Sequence, residues 1–213
     1  EKTVSTTTAP LKSSASWMSR HLSDPYVKLA QKDGYRSRAA YKLIELNEKD
    51  KLIRPGMRIL DLGSAPGGWS QVAARIVGDK GRILATDILP MEPIRNVDFI
   101  QGDFNDIAIV EQLLGWLGGG KFDLIISDIA PNITGIASAD QASSIYFLEL
   151  ALDTVLKTLK PGATFVAKMF QGAGSDAYVK QLRAHFEKVL IRKPAASRKE
   201  SREVYLVAKG FKG

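Results

Sequence analysis

From residue 57 onward, short apolar runs alternate with longer stretches in which apolar side chains recur every three or four positions, a pattern that predicts βα units around a parallel sheet. Runs at 57–62, 82–86, 97–101, 122–127 and 164–168 read as strands covered on both faces, because Ile, Leu, Val and Phe dominate them. Two later strands are expected near 188–192 and at 203–209. No long helix separates them, so they should form an antiparallel pair at one edge of the sheet. Helices are expected over 69–77, 107–117, 138–159 and 176–186, with Gly78, the glycines at 118–120 and Pro161-Gly162 as terminators.

Upstream of residue 57 the pattern is helical. Asp24 followed by Pro25 opens a helix that Gly34 stops. Ser37 is placed to cap a second, running to about Asn47, in which Ala40, Leu43, Ile44 and Leu46 form an apolar face and Arg38, Lys42 and Glu45 lie elsewhere. Residues 1–16 contain eight Ser or Thr and few large apolar side chains, too little to offset the entropy of ordering, so a disordered leader or tag remnant is expected there. The remainder, 17–213, reads as one domain whose first part, about 17–54, carries basic helices.

The chain's 213 residues suit a single core. No apolar run approaches the roughly eighteen residues of a membrane span, so a soluble cytoplasmic protein is expected, acting without a membrane and as a monomer. Cysteine is absent, which excludes disulfides and thiolate nucleophiles, and His21 and His185 stand too far apart to suggest a metal site. The net charge of +7 is uneven: residues 17–54 carry +4 and 188–213 carry +6, whereas 55–187 carry −4. A mildly acidic body with basic ends suits a polyanionic partner, because clustered Lys and Arg release counterions from phosphates.

The chemistry concentrates at the predicted strand ends. Asp61-Leu62-Gly63-Ser64-Ala65-Pro66-Gly67-Gly68-Trp69 is a glycine-rich turn entering a helix, where a nucleotide-like ligand can lie against bare backbone. It has neither the glycine spacing of dinucleotide sites nor the Lys-Ser/Thr ending of a P-loop, which argues against a nicotinamide oxidoreductase. Asp87 follows the next strand, where a carboxylate can accept from the hydroxyls of an adenosine ribose. Asp103, after the third strand, can accept from an adenine amine, with Ile88 and Phe104 beside these two acids to enclose the base. Either carboxylate can instead cap its own loop. The fourth strand leads to Asp128, and the fifth brings Lys168 to the same sheet edge, where burial disfavours its charge unless carboxylates are near. Trp17, Tyr26 and Tyr35 are candidates to stack on bases, although helical aromatics more often enter the core.

These stretches carry a resemblance that spans about 17–212. Ser37-Arg38-Ala39-Ala40-Tyr41-Lys42-Leu43, the 61–71 turn, Ser127-Asp128 with Ala130-Pro131-Asn132 and Gly135, Ala167-Lys168-Met169-Phe170, and Ser197-Arg198 with Ser201-Arg202-Glu203-Val204-Tyr205 resemble the FtsJ family of ribose 2′-O RNA methyltransferases. Within the family the likeness is greatest to bacterial members acting on a uridine of large-subunit ribosomal RNA. The resemblance implies a Rossmann-like S-adenosylmethionine-dependent methyltransferase fold, with a mostly parallel seven-stranded sheet, an antiparallel edge strand and helices on both faces. It implies a catalytic tetrad on Lys42, Asp128, Lys168 and Glu203. Gly63, Ala65, Pro66, Gly67, Gly68, Trp69, Asp87, Ile88, Asp103, Phe104 and Asp128 would bind S-adenosylmethionine, leaving S-adenosylhomocysteine as product and requiring no metal. Ribosomal RNA or the large ribosomal subunit is the implied partner.

Under this reading Lys168 takes the 2′-hydroxyl proton, which requires its neutral form because a free lysine titrates near about 10.4; alternatively Lys168 stays charged and stabilises the alkoxide. Carbon-5 pyrimidine methylation, which proceeds through a thiolate, is excluded by the lack of cysteine. The basic helices before Pro55 and the Arg198, Lys199, Arg202 loop are expected to hold RNA phosphates. A small-molecule methyltransferase, a methyltransferase of transfer RNA or cap, and a non-catalytic ribosome-assembly factor are the competing readings.

Overall fold

The computed structural model describes residues 12–213. In chain order the elements are α1 (Lys12–Ser23), α2 (Pro25–Asp33), α3 (Ala40–Asp50), β1 (Arg58–Leu62), α4 (Gly68–Val77), β2 (Arg82–Asp87), β3 (Val97–Gln101), α5 (Ile107–Leu117) and β4 (Phe122–Ser127). They continue with α6 (Ala137–Thr158), β5 (Leu159–Phe170), α7 (Ser175–His185), β6 (Phe186–Arg192) and β7 (Glu203–Phe211). The seven strands form one sheet in the order β3-β2-β1-β4-β5-β7-β6. Neighbours from β3 to β5 run parallel, and β7 runs antiparallel to both β5 and β6. The reversed pairing falls at the expected edge, with β7 taken in between β5 and the outermost strand β6.

Side chains along the central strands alternate between two apolar layers. Leu60, Ile125, Phe165, Ala167, Leu206 and Ala208 face the layer built with α5, α6 and α7, where Leu113, Leu152, Tyr178 and Leu182 are buried. Ile59, Leu124, Ile126, Val166, Tyr205 and Val207 face the other, where α3 and α4 supply Leu43, Leu46, Trp69 and Val72. Period-two alternation on strands that are apolar on both sides is what a sheet sandwiched between helices requires. Asp24 caps α2 by accepting from the Tyr26 amide at 2.9 Å, with Pro25 in the first turn and Gly34 left-handed at φ 78°.

Several boundaries differ from those the sequence predicts, among them the start of α3, where Ala39 and not Ser37 is the capping residue and no side chain caps the helix. Helix α1 begins at Lys12, inside the segment expected to be disordered; no Gly or Pro interrupts residues 12–23, and its many serines lower helix propensity without forbidding it. The rest of that leader, residues 1–11, lies outside the described residues. Helix α3 runs three residues past Asn47, because the Asn47 side chain accepts from the Ile53 amide while Lys51 takes the left-handed cap. Pro161-Gly162 does not end α6; β5 already starts at Leu159, opposite Phe122, and the next pairing joins Leu124 to Thr164, so residues 160–163 bulge out of register. A bulge tolerates a proline that has no amide hydrogen to give.

Candidate active site

Strand register brings the predicted tetrad together. In the β5–β7 pairing Lys168 lies opposite Tyr205 and Phe170 opposite Glu203, which puts all four side chains on one face of the sheet, the face that α3 covers. Strand β4 ends at Ser127, opposite Ala167, so Asp128 emerges beside Lys168 where β5 outruns its neighbour. Lys42 comes from the first turn of α3 and donates to Glu203 Oε1 at 2.6 Å. Lys168 Nζ lies 3.4 Å from Asp128 Oδ1 and 3.3 Å from the Asp128 carbonyl oxygen. The Tyr205 hydroxyl donates to the same Asp128 Oδ1 at 2.7 Å, and the Lys42 ammonium sits 5.9 Å above the Tyr205 ring. Two lysine–carboxylate pairs thus flank one buried phenol.

The surroundings set the charge states. Burial pushes the Glu203 carboxyl upward, but the Lys42 ammonium, the Ser197 hydroxyl at 2.8 Å and the charge of Lys168 outweigh it and hold the group below the usual carboxylate range. Burial, together with the charges of Asp128 and Glu203, raises the Tyr205 phenol well above its ordinary value, so it remains a hydrogen-bond donor.

Beside this cluster, Ser37, Asp61, Gly63, Ser64, Ala65, Pro66, Gly68, Trp69 and Asp128 line a cavity of about 170 Å³. Gly63 has φ 69°, and a Cβ there would come within 2.4 Å of the Ile129 side chain, so only glycine lets the turn pass under the β4 loop. Arg36 donates to the carbonyl oxygens of Pro66 and Pro93, at 3.2 and 2.7 Å, tying the glycine turn to the loop after β2. Asp61 is fully buried; its Oδ2 accepts from the Ser70 hydroxyl at 2.7 Å, while Oδ1 has no partner among the described residues. Burial, reinforced by the charges of Asp128 and Asp87, raises this carboxyl to about 7.

The predicted cofactor residues fall into three groups. Gly63, Ala65, Pro66, Gly68 and Asp128 line the cavity directly, and Gly67 is the residue from which α4 starts. Trp69 touches the cavity but is a core residue, its indole donating to the Ala39 carbonyl at 2.8 Å and its ring packed on Tyr205. Asp87, Ile88, Asp103 and Phe104 lie outside the cavity, at the ends of the adjacent strands β2 and β3. Asp87 accepts from the amides of Ala65 and Leu89, each at 2.9 Å, Asp103 accepts from Asn105, and Ile88 is exposed. Both acids therefore cap their own loops, Asp87 also holding the glycine turn through Ala65, and each carboxylate oxygen keeps a lone pair for a ligand.

The sequence profile of the FtsJ-like methyltransferases matches residues 35–211. The chain belongs to this family. A ribosomal RNA large subunit methyltransferase E of Stutzerimonas stutzeri is 67% identical over 202 residues, covering 95% of this chain and 98% of that protein. One of the same name from Marinobacter nauticus is 60% identical over 94% and 97%. Among solved structures, a ribosomal RNA methyltransferase of Plasmodium falciparum superimposes with a TM-score of 0.77 at 35% identity, over 84% of this chain and all of that one. Fibrillarin of Aeropyrum pernix with bound S-adenosylmethionine gives 0.58 at 17% identity, over 82% and 75%, a likeness of fold alone. This chain is accordingly an FtsJ-like methyltransferase with the fold of the S-adenosylmethionine-dependent enzymes.

Reading the family motifs in sequence leaves three residues unassigned. Tyr205 lies two residues from Glu203 on a strand, and that period-two spacing was the available signal for its sharing the tetrad's face. Ser197 and Arg36 gave none, since each acts through a contact with a residue that is remote in sequence or set by a loop.

Proposed function

We propose that the chain transfers a methyl group from S-adenosylmethionine to a ribose 2′-hydroxyl of RNA, a uridine of the large ribosomal subunit being the target. One observation carries the reading: one buried and one half-buried lysine–carboxylate pair, joined through Tyr205, stand beside a glycine-floored cavity. The cavity fits the cofactor. Asp61 offers an unpaired buried oxygen and Asp128 a second carboxylate to a ligand whose methionine end is cationic, while the backbone at 63–68 lets its body approach closely. Asp87 would accept from the cofactor ribose and Asp103 from the adenine amine, with Ile88 and Phe104 against the base. When bound, S-adenosylmethionine supplies an electrophilic methyl carbon that carries its own leaving group.

The chain's residues do the rest. Lys168, fixed by Asp128, takes the proton from the 2′-oxygen as that oxygen becomes the nucleophile. Tyr205 holds the Asp128 carboxylate in register with Lys168. Lys42 and Glu203 hold the ribose and offset developing negative charge, which preorganised groups achieve without rearranging during the reaction. Names of the bacterial relatives support the ribosomal target, and the basic ends support a polyanionic substrate. Exposed Lys199 and Arg202, with the half-buried Arg198 beside them, border the tetrad's own strand and are placed for phosphates.

The test is transfer of labelled methyl to unmodified large ribosomal subunits, with nucleoside analysis of the product. Wild type should yield a 2′-O-methyluridine. Lys168→Ala and Lys168→Arg should both fall by about a hundredfold or more while binding the cofactor normally, because arginine keeps the charge but cannot take a proton. Label on a base, or none on RNA, would refute the reaction; an active Lys168→Arg would instead make Lys168 a charged stabiliser.

A further inference from the structure

Trp17, Tyr26 and Tyr35, the candidates to stack on bases, separate clearly in the structure. Tyr26 and Tyr35 each pack against Tyr41, with ring centroids 5.7 Å apart, and Arg38 and Arg75 cover their faces. Trp17 is different: it is 50% exposed on α1, and its ring lies parallel to that of His21, 12° off plane at 5.0 Å. This i,i+4 pair forms a flat, preassembled π surface.

What borders that surface gives its partner's chemistry. Helix α1 has no carboxylate, and Arg20 sits one turn from Trp17. Arg20 and Ser23 of α1 form one wall of a cavity of about 340 Å³ whose other residues include Tyr26, Arg38, Ser197, Arg198 and Lys199. Two acids line it as well: Asp24, already paired with Arg38 at 2.9 Å and Arg198 at 3.2 Å, and the exposed Glu200. Ser197, which lines the cavity, donates to Glu203 of the tetrad. Arg20 thus joins this mostly cationic cavity to the helix that carries Trp17, and Ser197 joins it to the tetrad. An exposed aromatic face next to a cavity lined by four cations and two acids suits an unpaired base and its phosphates.

Resting on the function proposed above, we infer that Trp17, stacked on His21, is a platform for an unpaired nucleobase of the RNA substrate, lying outside the reacting nucleotide and anchoring the strand through the Arg20–Lys199 cavity. Trp17 positions substrate and takes no part in the chemistry.

The experiment compares wild type, Trp17→Ala and Trp17→Phe, as full-length chains, for binding to protein-free large-subunit RNA and for methylation of unmodified subunits. Trp17→Ala should weaken RNA binding and raise KM about tenfold, the scale of one aromatic–base stack, with kcat unchanged. Trp17→Phe should recover most of that loss. Because Trp17 is half-exposed, thermal unfolding of Trp17→Ala should match wild type, and a lowered midpoint accompanied by a fallen kcat would assign Trp17 to structure instead. Equal RNA affinity of Trp17→Ala and a wild type that methylates normally would overturn the platform and leave the proposed reaction standing. A defect on intact subunits but not on protein-free RNA would make the partner a ribosomal protein and overturn it too. A wild type that binds no RNA would overturn both.

Discussion

Lys168 is half-buried and Asp61 fully buried, and the chain gives the two different partners. Lys168 has Asp128 beside it, whereas Asp61 has only the Ser70 hydroxyl and two like-charged neighbours, Asp87 and Asp128. Asp61 is therefore protonated in the folded chain up to about pH 7, against 3.8 for the unperturbed group. With its folded value raised, its contribution to stability is complete below the unfolded value and is lost as pH rises toward 7. The ligand-free protein should lose thermal stability over that window, and Asp61→Asn should flatten the loss. A cationic cofactor favours the charged form, so its affinity should rise as pH climbs through 7 in wild type but not in Asp61→Asn; calorimetric titration from pH 6 to 8 checks both signs. The sequence places Asp61 at the head of a glycine turn, but gives no sign that one of its oxygens is left unpaired, because that follows from what packs around it.

At the scale of elements, the joint that positions Lys42 is Asp50, at the other end of α3. Its carboxylate accepts from Arg192 Nε at 3.0 Å and Nη2 at 2.9 Å, with Lys209 Nζ at 3.9 Å, so β6 and β7 both grip the end of the helix. The Asp50 side chain is only 4% exposed, and these cations hold its carboxyl below the usual range. Removing it strands Arg192 in a half-buried position. Asp50→Ala should cost about 1–3 kcal/mol in denaturant unfolding, less than for a pair buried on both sides because water still reaches Arg192 and Lys209. Periodicity located α3 and the two strands, yet the helix end was predicted three residues early. The bond that extends it, from the Ile53 amide to Asn47, joins residues whose pairing depends on the path of the loop.

For the whole molecule, the count of basic residues overstates the surface left for RNA. Lys42 is spent on Glu203, Arg36 on loop carbonyls and Arg38 on Asp24. Arg198 is likewise paired with Asp24, whereas Arg20, Lys28 and Lys32 on the first two helices and Lys199 and Arg202 on the loop before β7 remain exposed. Five phosphate contacts from these would give a log–log slope of RNA affinity against salt of about −3.5 to −4.5, whereas cofactor affinity should barely change. Filter binding between low and moderate salt measures the first, and calorimetry the second. The alternation of apolar runs and amphipathic stretches was enough to determine a sheet between two helical layers, because burial on both faces demands that pattern locally. The glycine turn and the acids at strand ends were legible for the same reason, since backbone freedom and helix entry are local requirements. The convergence of Lys42, Asp128, Lys168 and Glu203 was implied by resemblance alone. Tertiary structure decided it: placing β7 between β5 and β6 sets Tyr205 opposite Lys168, and no local pattern encodes which strand a reversed partner will join.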